Sequence, residues 1–266
     1  IINKSLEFGL SGSQLWEKLN EKGLSPQFGI HGIYELARSF LNKDGKDKGA
    51  KLFRILQELD PSYQPTTEMI LDQEIIKLRT GAAVFPILDP LNQVATKQEV
   101  DKLARGIFNE KARVFISNRE SEIRINHPMR AMAKVYIDNA KNILNKRSPQ
   151  KNNLRTFEHV LSELQSEFPD LIYLMLNGKV SRLEACELYL RLKSFPAIRT
   201  TVMANAYMTS ICIIHGDIPG KDKIDDYRHI IEASYCDVFI TGDAQLQKTV
   251  PRINPEVEVV EWNNFL

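Results

Sequence analysis

The sequence predicts an α/β fold, a parallel sheet flanked by helices and split by a large all-helical insertion. Three observations carry this reading. The run from Ile224 to Asp243 reads as an amphipathic helix, a turn, the apolar strand Val238-Phe239-Ile240-Thr241 and an aspartate just past the strand's end. Strand signals cluster at the C-terminus. The middle of the chain instead repeats its apolar residues at helical spacing. The whole chain, 1–266, is read as one domain interrupted by the insertion at about 60–195, with a separate all-helical domain as the alternative boundary.

Taken in order, Ile33, Leu36, Ala37, Phe40 and Leu41 form the buried stripe of a first helix, followed by the polar loop 42–49. A helix follows over Thr66 to Leu78. Thr96-x-x-Glu99 and Ser181-x-x-Glu184 read as capping boxes that open further helices. Helices are also predicted at 129–146, 153–167 and 197–214, separated by breaks at Ser148-Pro149, Phe168-Pro169 and Phe195-Pro196. The next helix begins on Asp225-Asp226 and buries Tyr227, Ile230, Ile231 and Ser234. Asp226 shares a line with His229 and Ala233, whereas Asp225 lies with Arg228 and Glu232 on the side expected to meet solvent.

Composition narrows the function classes. Lys plus Arg number 35 and Asp plus Glu 34, so no overall basic excess advertises nucleic acid or an anionic membrane. Any nucleic-acid contact must come from a local patch. Cys186, Cys212 and Cys236 match neither a disulfide framework nor a zinc pattern and read as reduced thiols, which implies a cytoplasmic protein. No signal peptide is visible. The most apolar run, Thr201 to Ile214, falls short of the ~20 residues a membrane span needs and reads as a buried helix. No membrane partner is expected.

Strand ends in open parallel sheets are where ligands bind, which makes Asp243 the first candidate site residue. Asp226 is the second. Each also has an ordinary reading, Asp226 as a helix cap and Gly242-Asp243 as a turn. Glu35 reads on its own as an exposed helix glutamate. Thr241 is either a hydroxyl that orients Asp243 or a β-branched strand residue. His229 is weighed as a phosphate or leaving-group contact against a merely solvated histidine. Asp217 and Asp225 are second-rank metal candidates.

Asp226, Ala233 and Thr241-Gly242-Asp243 together resemble the C-terminal signature of the PIN-like family of metal-dependent nucleases. Val259-Val260-Glu261-Trp262 resembles that family's last strand and turn, and Gly32-Ile33-Tyr34-Glu35-Leu36 its glutamate-bearing helix. The resemblance implies a PIN-like sheet and Glu35, Asp226 and Asp243 as ligands of Mg2+ or Mn2+. It also implies hydrolysis of RNA phosphodiesters, with DNA as the lesser alternative. The family's first aspartate has no counterpart, and the sequence is expected to begin just after it.

Converging carboxylates suit such ions, because repulsion between them is relieved by a divalent cation that favours oxygen ligands. Arg113, Arg119, Arg124, Arg130 and Lys134, then Lys141, Lys146, Arg147, Lys151 and Arg155, could meet a substrate strand, with Phe115 and Tyr136 stacking bases. Interleaved acids make a mixed solvated surface the competing reading. The runner-up function is a non-catalytic PIN-like scaffold for RNA or a protein partner. A phosphatase or other metal-dependent phosphotransfer enzyme is a third class. A homo-oligomer or a regulatory protein partner is compatible with either of the first two.

Overall fold

Helical periodicity governs far more of the chain than an α/β fold allows. The protein is described here by a computed structural model over residues 1–43, 45–125, 138, 142, 156–215 and 221–266. It is 72% helical and only 6% strand, which corrects the expected PIN-like parallel sheet to a mainly helical fold. Among the described residues the strands form two separate two-stranded parallel ladders. One joins β1 (Gln27–Gly29) to β2 (Ser62–Gln64), the other β3 (Val238–Thr241) to β4 (Glu258–Glu261).

A buried parallel sheet needs near-continuous apolar strands covered on both faces. Gln27-Phe28-Gly29 and Ser62-Tyr63-Gln64 do not meet that need. The Gln64 amide instead donates to the Gln27 side chain and to the Glu232 carbonyl, a polar contact that ends the apolar surface at the ladder's flank.

Helix against helix therefore closes most of the core. In the N-terminal part, α1 (Ile2–Glu7), α2 (Gly12–Glu21), α3 (Ile30–Arg38) and α4 (Gly45–Leu59) pack around Leu15, Tyr34, Phe53, Leu56 and Trp262. Ser11 opens α2 with a capping box completed by Gln14. A Cβ at Gly12 would stand 2.1 Å from the Ile55 carbonyl oxygen, so only glycine lets α2 approach α4 this closely. The stripe of α3 buries Ile33, Leu36 and Ala37, while Leu41, expected in the same stripe, is exposed in a following 3-10 turn.

Next come α5 (Thr67–Thr80), α6 (Pro90–Ala104) and α7 (Glu110–Ile125). Thr66 caps α5, and Gly81 ends it in the left-handed conformation that glycine takes without strain. The expected capping box at Thr96 and Glu99 is corrected, since both residues lie inside α6. Asp89 accepts from the amides of Leu91 and Asn92, and Pro90 occupies the first turn, so the helix starts earlier.

The expected helix at 129–146 lies outside the described residues save positions 138 and 142. Beyond it run α8 (Phe157–Leu164), α9 (Phe168–Met175), α10 (Arg182–Leu190) and α11 (Pro196–His215), which share a second core of Val160, Ile172, Phe195, Ile198 and Val202. Ser181 and Glu184 form the capping box of α10. The buried carboxylate of Glu74 caps α11 from a distance, accepting from Ala197 and Ile198 amides at 2.9 and 2.7 Å. By length and composition α11 could cross a membrane, and half of its apolar window is buried within the protein.

The C-terminal part holds α12 (Lys221–Glu232), α13 (Ala244–Ile253) and α14 (Trp262–Phe265). α12 begins ahead of the acidic pair, so Asp226 is an interior helical residue and not a cap. Tyr227, Ile230 and Ile231 are buried. Arg228 and Glu232, expected to face solvent, are buried as well, because α12 packs against α3, α5, α11 and α13. Glu68 on α5 meets that inward charge. Its carboxylate accepts from Arg228 at 2.5 Å and from Arg119 of α7 at 3.2 Å.

Candidate metal centre

Four positions separate His31 from Glu35 on α3, which puts both side chains on one face of the helix. The packing of α12 against α3 brings His229 to that face. His229 Nε2 lies 2.9 Å from Glu35 Oε2, and His31 Nε2 lies 3.6 Å from Glu35 Oε1. The two imidazole rings are centred 5.0 Å apart. One ligating atom from each of the three residues lies within 4.8 Å of the other two. Donors at bond lengths of ~2.0–2.2 Å from one ion stand no more than about 4.4 Å apart, so the group is close to the spacing that a single divalent ion requires.

The surroundings make these groups unlike surface side chains. His31 is fully buried, and neither of its ring nitrogens makes a hydrogen bond to the described residues. Burial, reinforced by the charge of His229, depresses its pKa to about 3 and keeps it neutral with a lone pair to offer. For Glu35, burial pushes the pKa upward, but the hydrogen bond and charge of His229 outweigh it and hold the carboxyl below its usual range. His229 responds in the opposite sense. Burial opposes its protonation, while the hydrogen bond to Glu35 and the charges of Glu35, Glu232 and Asp226 raise its pKa overall.

Glu232 lies one turn beyond His229 and is the second unusual group. Its carboxylate is buried with no hydrogen-bond partner among the described residues, and it packs so closely on Gly29 that a Cβ there would stand 2.0 Å from Oε2. Burial raises its pKa to about 7, against the opposing charges of His229 and the Arg119 and Arg228 guanidiniums.

The sequence-based candidates divide. Glu35 is in the donor group, and neither Asp226 nor Asp243 is. Asp226 sits one turn before His229 on α12 and contributes to its electrostatics. Asp243 is exposed and caps α13, accepting from the Gln245 and Leu246 amides at 2.6 and 3.0 Å. The Thr241 hydroxyl accepts from the Asp243 backbone amide at 3.1 Å, so it orders the turn and does not bond the carboxylate. Asp217 and the side chain of Asp225 lie outside the described residues.

Among the proposed strand-binding residues, Arg119 is committed to Glu68, Arg113 lies over the Phe108 ring and Phe115 packs on the N-terminal core. The Arg124 side chain, Tyr136 and the basic residues from Arg130 to Arg155 lie outside the described residues. The residue missed by sequence reasoning is His31. Its signal was the four-residue spacing to Glu35, which puts an imidazole and a carboxylate on the same helical face. No family model, no curated protein and no solved structure matches this chain.

Proposed function

We propose that the protein is a divalent-metal-dependent hydrolase, with His31, Glu35 and His229 as its metal ligands and RNA phosphodiesters as its substrate class. The observation that carries this reading is the meeting of two imidazoles and a carboxylate from helices distant in sequence, one of the imidazoles fully buried without a hydrogen bond to the described residues. It stands on that donor group and not on the PIN-like sheet, which this fold does not have. A cation held there supplies a Lewis acid for a phosphoryl oxygen and acidifies a water molecule.

The residues themselves supply position. α3 fixes His31 and Glu35 relative to each other, and the buried face of α12 fixes His229. Glu35, 42% exposed, leaves the group open toward solvent, so that a substrate can approach. In the hydrolysis, a water oxygen bonds to phosphorus, the bond from phosphorus to the leaving oxygen breaks, and that oxygen takes up a proton.

The test is cleavage of single-stranded and structured RNAs, with matching DNAs, by the chain before and after chelation. Cleavage that chelator abolishes and an added divalent ion restores, with Zn2+, Mn2+ and Mg2+ each tried, is expected. Robust cleavage in chelator defeats the reading. One observation favours a non-catalytic scaffold as the second reading: His229 and Glu35 already satisfy each other through a 2.9 Å hydrogen bond without a metal. RNA binding without cleavage under every metal would support it.

A further inference from the structure

We infer that the group formed by His31, Glu35 and His229 is selective for a transition ion of the Zn2+ kind over Mg2+. This deepens the hydrolase reading and rests on the same site. The argument begins with ligand chemistry. Two of the three donors are imidazole nitrogens, which suit transition ions, whereas Mg2+ takes oxygen ligands in octahedral geometry and keeps several of its waters. A carboxylate-only site of the kind implied by Glu35, Asp226 and Asp243 would favour the opposite ion. The three atoms that meet here are Nε2 of His31 or its Nδ1, a Glu35 oxygen and a His229 nitrogen.

Burial supplies the second part of the argument. A buried imidazole nitrogen without a partner is unfavourable relative to one that is satisfied. Both nitrogens of His31 are in that state, and the ring is aimed at Glu35 and His229. A transition ion satisfies one of them and at the same time neutralises the carboxylate beside it.

The third part is openness. Sites of two histidines and one glutamate with a free position are a recognised arrangement for catalytic zinc, while structural zinc sites are closed by a fourth protein ligand. Among the described residues the group has three members and its glutamate faces solvent. Carboxylates beyond the ligands orient metal-bound histidines. Glu232 and Asp226 lie one turn on either side of His229 on α12.

The experiment uses the full chain stripped of metal. Titration calorimetry with Zn2+, Mn2+ and Mg2+ is combined with visible absorption on Co2+, whose bands report nitrogen ligation and low coordination number. One Co2+ per chain with such bands, displaced by Zn2+, is expected, with Zn2+ binding at least about 10-fold tighter than Mg2+. Because buried His31 is poorly tolerant of change, the test is carried by His229→Asn and Glu35→Gln. Each should weaken Co2+ binding by about 10-fold or more while the helical circular dichroism is unchanged.

Mg2+ binding within a few fold of Zn2+, or an unaltered Co2+ spectrum in His229→Asn, would overturn the inference. The two readings fail separately. A Zn2+-loaded chain that binds metal as expected but cleaves no RNA leaves the site intact and defeats the hydrolase. Cleavage supported by Mg2+ as well as by Zn2+, and lost in both His229→Asn and Glu35→Gln, keeps the hydrolase and removes the selectivity.

Discussion

Two carboxylates that the sequence offered as metal ligands, Glu35 on α3 and Asp243 past the end of β3, stand in different surroundings. Glu35 faces two imidazoles, a fully buried one on its own helix and, across a helix contact, one hydrogen-bonded to it at 2.9 Å. Asp243 is exposed and bonded to the first amides of α13. The α3–α12 contact is a polar site lying between separate apolar clusters, and the β3–α13 junction is a helix start. A carboxylate's chemistry is thus set by the donors around it more than by the element that carries it.

The largest expected effect separates the two directly. If the α3–α12 contact is the working site, Glu35→Gln should lower RNA cleavage by roughly 100-fold or more, as removing a metal-fixing or transition-state contact typically does. Asp243→Asn should change it by no more than a few fold. Steady-state cleavage rates at matched concentration decide it, and an equal loss in both variants would break the comparison.

Next is Glu68, which joins α5 to α7 and α12 behind the site. Its charge partners Arg119 and Arg228 hold its pKa at about 2 although burial alone would raise it. Glu68→Gln should cost about 2 kcal/mol in urea unfolding, less than the 3–5 of a fully buried pair because Glu68 is partly exposed. The sign follows from the lowered pKa. Stability from this carboxylate is complete above its ordinary pKa, near 4.5, and is lost as pH falls toward 2. The variant should therefore show a shallower acid loss than the parent.

Glu232 titrates in the opposite sense. Its folded pKa of about 7 lies above its ordinary 4.5, so the folded chain holds a proton that the unfolded chain has released. Stability attributable to this group is complete below 4.5 and falls as pH rises through 7. Glu232→Gln should remove that slope and stabilise the chain at pH 8 by up to about 3 kcal/mol. Unfolding series at pH 5 and pH 8 check it, and an unchanged difference between them would show that the carboxyl does not titrate there.

The smallest effect belongs to the junction. Asp243→Ala should cost about 1 kcal/mol of stability through loss of the cap, and Asp243→Asn much less, since asparagine caps nearly as well. A loss of that size with cleavage retained would sharpen the contrast with Glu35.

The sequence alone determined the features that local hydrogen bonds and periodicity decide. Thr66 and Ser181 begin helices because a hydroxyl satisfies amides within the next turn, which needs no distant partner. The run Val238 to Thr241 is a strand, and Tyr227, Ile230 and Ile231 are a buried stripe, because apolar spacing records which face must leave water. Even there a local signal can mislead, as at Thr96, where the earlier cap at Asp89 and Pro90 had already started the helix.

Tertiary structure decided the rest. The size of each sheet depended on whether helices or further strands covered it, and two-strand ladders remained. Arg228 faces inward to Glu68 on α5, and Glu232 is buried with it because α12 packs on α3 and α5, which the helix's own spacing does not record. The donor group joins His31 and Glu35, four apart on one helix, to His229, 194 positions from Glu35. Helical geometry places the first pair; only the packing of α12 on α3 supplies the third ligand, because a metal-binding distance is a property of neighbours in space.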